Sequence, residues 1–259
     1  MFLCNVENLD DIALIEGDEL EITYSDLHQE VANFARLFSS KHLIFIIGDN
    51  DIASIVAYLS SVDSGIVPLL LGSKTNQGQI DNLINIYKPR YIFQKIDLNI
   101  HNGYSFTSKF KGYSFFLRDV FEKITFHPDL ALLLSTSGST GSPKLVRLTK
   151  QNLTSNAISI SKYLDIKSND RAISSLPFNY SYGLSVINSH LKSGGSIVLT
   201  SKSMMEKEFW HLITKHSVTS LAGVPYNYEI ILRLGIDRLK IPSITKMTQA
   251  GGKLSNEKI

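Results

Sequence analysis

Short apolar runs alternate along the chain with segments in which apolar residues recur every three or four positions. The runs 43–47, 65–71 and 130–134 are largely apolar throughout, which is typical of strands buried on both faces of a sheet. Leu27 and Val31 belong to a segment in which apolar residues recur at helical spacing. This alternation predicts an α/β fold whose mostly parallel sheets are flanked by helices.

The same pattern places individual elements. Asp51 is expected to cap a helix, because its carboxylate can accept hydrogen bonds from the first backbone N–H groups. Residues 99–113 are polar and contain glycine, so we expect a loop or a minor boundary there. We expect two α/β lobes, 1–128 and 129–259. Strands are predicted at 20–24, 43–47, 65–71, 91–93, 130–134, 172–176, 197–200 and 220–224, and helices near 25–38, 51–62, 79–86, 151–163, 184–191, 209–215 and 226–234.

Composition narrows the class of protein. Hydrophobic residues make up 43% and charged residues 19%, as in globular proteins. The 26 basic and 24 acidic residues leave a net charge of +2 without a basic patch, so we expect no nucleic-acid partner. We also expect no membrane span, since the apolar runs are too short, and no signal peptide. Cys4, the one cysteine, cannot form an internal disulfide, which favours a cytoplasmic location.

Residues 135–144 concentrate hydroxyl side chains with Gly138, Gly141 and Lys144, between a predicted strand and a predicted helix. Glycine lets the backbone approach an anion closely, and backbone N–H groups and hydroxyls donate hydrogen bonds to phosphate oxygens. Lys144 adds a positive charge for the same oxygens. An exposed Ser/Gly linker is the alternative, but the position between strand and helix favours a phosphate-binding loop. The spacing of glycine and lysine differs from that of the common phosphate loop.

From Thr136 to Lys144 the loop resembles the signature of the adenylate-forming superfamily, which includes acyl-CoA synthetases, aryl-CoA ligases, peptide-synthetase adenylation domains and luciferases. Leu145 departs from the glycine that is usual at the next position. The resemblance implies that the two lobes form the large N-terminal domain of the adenylate-forming fold. It also implies that ATP is bound by Thr136, Ser137, Gly138, Ser139, Thr140, Gly141 and Lys144.

Three later segments resemble the same family in order and spacing. Residues 176–184 resemble its substrate-side motif, residues 222–225 the strand beside its acyl pocket, and residues 250–254 the Gly–Gly turn near adenine. The resemblance therefore implies that Gly251 and Gly252 back the adenine, and that the acyl site is lined by Tyr180, Ser181, Tyr182 and Gly223. Amino-acid-activating relatives often carry Asp where Ser181 stands, so a simple acyl or aryl acid is favoured over an α-amino acid.

The implied reaction joins a carboxylic acid to ATP, with Mg²⁺, and gives an acyl-adenylate and pyrophosphate. Transfer of the acyl group to the thiol of CoA or of a carrier protein would follow. The family's magnesium-binding glutamate, ribose-binding aspartate and catalytic lysine come after the Gly–Gly turn and have no counterpart here. We therefore expect a truncated chain that is inactive alone, without a catalytic residue of its own, from a longer enzyme. A non-catalytic module used for binding or scaffolding is the alternative.

Overall fold

The computed structural model describes residues 2–4, 6–96, 101–121, 124–135 and 144–254. Strands and helices alternate through them, and the predicted α/β class is confirmed. In chain order the strands are β1 (Ile12–Glu16), β2 (Leu20–Thr23), β3 (Leu43–Gly48), β4 (Val67–Gly72), β5 (Tyr91–Lys95), β6 (Tyr104–Phe110), β7 (Tyr113–Arg118), β8 (Leu130–Ser135), β9 (Leu145–Thr149), β10 (Arg171–Ile173), β11 (Ser196–Leu199), β12 (Ser220–Gly223) and β13 (Lys246–Gln249). The helices are α1 (Tyr24–Ala35), α2 (Ile52–Asp63), α3 (Gln77–Tyr87), α4 (Lys150–Tyr163), α5 (Ser181–Lys192), α6 (Lys207–Lys215), α7 (Pro225–Leu234) and α8 (Ile236–Leu239).

One compact unit comprises His28–Leu153 together with the first two residues. Its sheet has the strand order β6-β7-β5-β3-β4-β8-β9, and β3, β4, β5 and β8 pair in parallel where they are neighbours. Strand β3 is buried along its whole length, which explains its unbroken apolar sequence. The core on one face of this sheet includes Leu43, Phe45, Ile47, Leu69, Leu71, Ile80, Leu83 and Ile92.

The other compact unit comprises Leu3–Leu27 and Thr154–Ile259. Its sheet has the strand order β13-β12-β10-β11-β1-β2, in which only the β1–β2 pair is antiparallel. The carboxyl ends of β12 and β13 therefore meet at one edge, where ligands of open α/β sheets commonly bind. Its core includes Ile15, Ile173, Val198, Phe209, Leu212, Ile213, Val218 and Leu221.

The residue ranges of the two units differ from the predicted lobes, whose boundary lay between residues 128 and 129. Strand β8 pairs with β4 and then with β9, so residues 130–149 belong to the first sheet. Strand β1 pairs with β11, so the start of the chain belongs to the second sheet. Both strands are assigned to their sheets by pairing with strands that are distant in sequence. Hydrophobic periodicity contains no information about such pairing.

Several elements were not predicted. The stretch 99–113, expected as a loop, contains β6 and leads through a tight turn into β7. Lys111 and Gly112 in this turn have φ of 45° and 80°, as in a two-residue hairpin. Most side chains of β6 are at least partly exposed, so its sequence is polar although it forms a strand. Strands β1, β9 and β13 and the short helix α8 were also missed.

The predicted cap of α2 is confirmed. The Asp51 carboxylate accepts a hydrogen bond of 2.9 Å from the backbone N–H of Ser54 at the start of this helix. Within the described ranges, no helix combines the length and apolar character that crossing a bilayer requires.

Candidate active site

The segment expected to bind phosphates lies mostly outside the described residues. This applies to Thr136, Ser137, Gly138, Ser139, Thr140 and Gly141. The strands on either side of the segment are described: Ser135 at the end of β8 pairs with Leu145 at the start of antiparallel β9. Lys144 is exposed and directly precedes β9.

The sequence had predicted that the segment leads directly into a helix, and this prediction was wrong. Strand β9 comes first, and α4 begins at Lys150. Two reciprocal hydrogen bonds of 3.0 Å mark the start of this helix: Asn152 N–H donates to Thr149 Oγ1, and Thr149 N–H donates to Asn152 Oδ1.

The substrate-side motif forms a tight turn before α5. The backbone N–H of Tyr180 donates to the Pro177 carbonyl at 3.0 Å. A Cβ on Gly183 would overlap this same carbonyl oxygen. Glycine at position 183 is therefore required for the first turn of α5 to pack against the turn that carries Tyr180.

The Gly–Gly turn lies against the same motif. A Cβ on Gly251 would come within 2.7 Å of Tyr180 Oη and 3.1 Å of Val224 Cγ1, and one on Gly252 within 3.0 Å of Pro225 Cγ. Gly251 has φ of +81°, which also favours glycine. Two motifs that are 70 residues apart in sequence thus meet at the carboxyl end of β13.

Tyr182 connects α5 to the sheet edge. Its hydroxyl donates to Thr248 Oγ1 at 2.8 Å, and Gly223 contributes a backbone hydrogen bond to the same hydroxyl. Tyr228 donates to the Thr248 carbonyl at 2.7 Å. Burial raises the pKa of Tyr182 and raises that of Tyr228 to about 12, so both phenols stay protonated at neutral pH. A Cβ on Gly223 would lie 2.9 Å from Asn227 Cβ, which accounts for glycine there.

A cavity of about 270 Å³ lies beside these residues within the second unit. Tyr182 is the predicted substrate-side residue that lines it; Ser181 is exposed at the first position of α5, and Gly223 follows the lining residue Ala222. The lining comes from α4 and the residue after it (Ile160, Tyr163, Leu164), from α5 (Tyr182, Ser185, Val186, Ser189, His190), from β12 (Ser220, Leu221, Ala222) and from β13 and the residue after it (Lys246, Thr248, Gln249, Ala250).

Most of this lining was not predicted. The residues from α5 follow the spacing i, i+3, i+4, i+7 and i+8 from Tyr182, so helical periodicity was the available signal. His190 and Ser220 carried no signal in the sequence, because a lone polar residue in an apolar segment is most often a satisfied core residue.

Charged residues lie at the amino ends of β10 and β13. Lys246 Nζ lies 2.6 Å from Asp170 Oδ2, and Thr219 Oγ1 donates to Asp170 Oδ1 at 2.9 Å. His190 is 2% exposed and its Nδ1 lies 2.9 Å from the Val186 carbonyl oxygen. Burial lowers the pKa of His190, which keeps the ring neutral at pH 7.

Among the described residues that line this cavity, none has an acidic side chain that could hold Mg²⁺. Elsewhere in the described part of the chain, no group of three or more His, Cys, Asp or Glu residues is arranged to bind a metal ion. The described residues therefore do not themselves fit the magnesium site that the resemblance implies.

The chain belongs to the family of AMP-binding enzymes, whose family model matches residues 4–258. A sulfoacetate–CoA ligase from Cupriavidus necator is 38% identical over 96 residues, which are 37% of this chain and 19% of that ligase. A feruloyl-CoA synthase from Amycolatopsis is 34% identical over 104 residues, 40% of this chain and 21% of the synthase.

Solved structures with the same fold include ATP-bound MatB from Rhodopseudomonas palustris, with a TM-score of 0.78 and 20% identity over 98% of this chain and 54% of that one. O-succinylbenzoate coenzyme A synthetase (MenE) from Bacillus subtilis, in complex with AMP, has a TM-score of 0.75 and 21% identity over 94% of this chain and 65% of that one. The chain thus spans between half and two thirds of these structures. The predicted family and the N-terminal domain of its fold are confirmed.

Proposed function

We propose that this chain forms the nucleotide- and acid-binding part of an AMP-forming acid ligase, with ATP and a carboxylic acid as substrates. The observation that carries the proposal is the cavity next to the Tyr180–Gly251 contact. This cavity is largely apolar and lies beside the Gly–Gly turn, which the family resemblance assigns to adenine. Family membership and similarity to two CoA-forming enzymes support the same reaction class.

In this proposal the acid occupies the cavity with its carboxylate toward the Gly–Gly turn. A carboxylate oxygen attacks the α-phosphorus of ATP, the bond from that phosphorus to the bridging oxygen breaks, and pyrophosphate leaves. Catalysis of such a step depends on positioning and on neutralising charge. Lys144 and the segment 136–141 are assigned to the β- and γ-phosphates.

Gly251 and Gly252 are assigned to the adenine side, and Tyr180, Ser181, Tyr182 and Gly223 to the acid side. Tyr182 is best supported, because it lines the cavity and its hydroxyl donates a hydrogen bond to Thr248. Similarity to CoA ligases favours CoA as the acceptor of the acyl group in the second step.

Carboxylate-dependent exchange of labelled pyrophosphate into ATP tests the proposal. It should be measured on this chain and on the longest protein of which it forms a part, with a panel of acyl and aryl acids. Exchange that depends on an added acid would support the ligase, whereas nucleotide binding without any exchange would favour a non-catalytic binding module.

A cavity-filling variant makes the test specific to the site. Ser185→Phe should block the cavity and suppress exchange while nucleotide binding remains, because Ser185 lines the cavity from α5. Ser159→Phe on the exposed face of α4 is the matched control and should retain exchange. Equal exchange by both variants would show that the acid binds elsewhere.

A further inference from the structure

The lining of the cavity in the second unit is largely apolar. Ile160 on α4, Val186 on α5 and Leu221 on β12 contribute to it from three different elements. Among the described residues that line the cavity, Lys246 is the only lysine, arginine, aspartate or glutamate. His190 also belongs to the lining, but burial lowers its pKa and keeps the ring neutral at pH 7. Lys246 is therefore the only source of charge in the described lining.

The charge of Lys246 is already balanced. Its Nζ lies 2.6 Å from Asp170 Oδ2, and the Asp170 side chain is only 7% exposed. Thr219 Oγ1 and the backbone N–H of Lys167 also donate to Asp170, at 2.9 Å and 2.8 Å, so the carboxylate is held in place. Burial alone raises the pKa of Asp170, but these three contacts outweigh it and keep the carboxylate charged at pH 7. Lys246 and Asp170 thus form a pair without net charge.

A lysine that is paired in this way offers little to an anionic ligand. To bind a second carboxylate or a sulfonate, Lys246 would have to leave Asp170, and separating a largely buried pair is strongly unfavourable because it leaves one charge uncompensated. An anion that approached the intact pair would also meet the negative charge of Asp170. The described lining therefore contains no cation that is available to a second anionic group of the ligand.

A positively charged group on the ligand is equally disfavoured. Among the described residues that line the cavity there is no acidic side chain that could pair with an ammonium group. Moving an ionised group from water into an apolar site without a partner costs far more free energy than moving a neutral polar group. Apolar surface, by contrast, is stabilised when it leaves water. The chemistry of the lining thus favours an uncharged, apolar body.

We infer that the acid taken by this site is a monocarboxylic acid with an apolar body and no second charged group. The inference rests on the proposed function, which places the single carboxylate toward the Gly–Gly turn. At about 270 Å³ the cavity lies just below the range of roughly 300–1,000 Å³ that is usual for drug-sized ligands, so a compact body such as a phenyl ring or a chain of about eight carbons suits it. Similarity to a sulfoacetate–CoA ligase alone would instead suggest a short acid with a sulfonate as second anion. The lining of the cavity argues for a different class of acid.

Matched acids that differ only in a charge at the far end test the inference. The pairs are octanoate with octanedioate, octanoate with 8-aminooctanoate, and 3-phenylpropanoate with 3-(4-carboxyphenyl)propanoate. The readout is the dissociation constant from NMR titration of the full chain. In every pair whose simple monocarboxylic acid binds, that acid should bind on the order of a hundredfold more tightly than its partner, because the additional charge would be buried without a counter-charge.

A lysine placed in the lining should change this preference. Ile160 is half-buried on α4, so the long side chain of Ile160→Lys can reach both the cavity and water. The variant should narrow the ratio of the two dissociation constants for octanoate and octanedioate on the order of tenfold, because the new ammonium can pair with the second carboxylate. Ile158→Lys is the matched control: Ile158 is 46% exposed on the same helix and is not among the lining residues. This variant adds the same charge and should leave the ratio unchanged.

Equal or tighter binding of the acids with a second charge would overturn the inference and leave the proposed function standing. An equal change of the ratio in both lysine variants would also overturn it, because the far end of the acid would then lie outside the cavity and respond only to the overall charge. If no acid binds and none supports pyrophosphate exchange, the proposed function fails together with the inference.

Discussion

The hydroxyl oxygen of Tyr180 lies 2.7 Å from the point where a Cβ on Gly251 would be placed. Two features therefore favour glycine at position 251. A φ of +81° would strain any residue that has a side chain, and Tyr180 occupies the space that the side chain would need. This contact joins the substrate-side motif to the Gly–Gly turn, so its geometry can be tested independently of catalysis.

We predict that Gly251→Ala lowers the free energy of unfolding by about 1–3 kcal/mol, from backbone strain together with displacement of Tyr180. In a Tyr180→Phe background the cost should be smaller by about 0.5–1 kcal/mol, because the crowding oxygen is gone. Urea unfolding of the four proteins in this cycle gives both numbers. Gly17→Ala is the control, since Gly17 also has positive φ but no neighbour within 4 Å of its Cβ. The cost of Gly17→Ala should be the same in both backgrounds. An equal cost of Gly251→Ala in both backgrounds would contradict the contact with Tyr180.

A second prediction concerns Gly183 in the first turn of α5. Gly183→Ala should lower the free energy of unfolding by about 1–3 kcal/mol, because the new Cβ meets the rigid backbone carbonyl of Pro177. Gly78→Ala, in the exposed first turn of α3, should be neutral or slightly stabilising, since only the flexible Asn76 side chain is near. Chemical denaturation would measure both, and equal stability of the two variants would contradict the close approach at Gly183.

The fold class and most parallel strands could be predicted because fully buried strands leave an unbroken apolar run, as in β3. The cap at Asp51 could be predicted because capping depends on residues adjacent in sequence. Strand β6 could not, because an edge strand with exposed side chains has a polar sequence. Partners of separate strands, such as β1 and β11, are likewise not encoded in local periodicity.

Some residues of the candidate site could likewise be predicted from the sequence and others could not. Family motifs led to Tyr180, Tyr182 and the Gly–Gly turn, which the structure brings together around β13. The rest of the cavity lining was not foreseen: His190 and Ser220, for example, come from elements 30 residues apart and belong to no motif. They line the same cavity only because the fold brings α5, β12 and β13 around it.

A third prediction follows from the Asp170–Lys246 ion pair. Burial alone raises the pKa of Asp170, but hydrogen bonds from Lys246, the Lys167 backbone and Thr219 outweigh this and hold the pKa below its usual value. The resulting stabilisation is present above the unfolded-state pKa of about 3.9 and is lost as pH falls through the lower folded-state pKa. Asp170→Asn should therefore lower the free energy of unfolding by about 1–3 kcal/mol at pH 7.

The difference between wild type and Asp170→Asn should narrow as pH falls below about 4, where the Asp170 carboxylate of the unfolded wild type begins to be protonated while that of the folded protein is still charged. Asp165→Asn is the matched control, because Asp165 pairs with Lys167 through side chains that are 77% and 60% exposed. Exposed pairs contribute little, so this variant should unfold like the wild type at both pH values. A pH-independent difference for Asp170→Asn would argue against the assigned titration.

The last prediction concerns Lys144, the described lysine at the end of the proposed phosphate-binding segment. If its ammonium contacts the β- and γ-phosphates, Lys144→Ala should weaken ATP use by about 1–3 kcal/mol, the range for a hydrogen bond to a charged group. At about 1.4 kcal/mol for each factor of ten, this corresponds to roughly a five- to hundredfold loss in kcat/KM for ATP. The measurement is the ATP dependence of pyrophosphate exchange in the longest protein that contains this chain. Lys162→Ala, at an exposed position in the last turn of α4, removes the same charge away from the segment and should leave the ATP dependence unchanged. Because both variants alter the net charge equally, a loss confined to Lys144→Ala would report a local contact, and equal losses would point to long-range attraction of ATP instead.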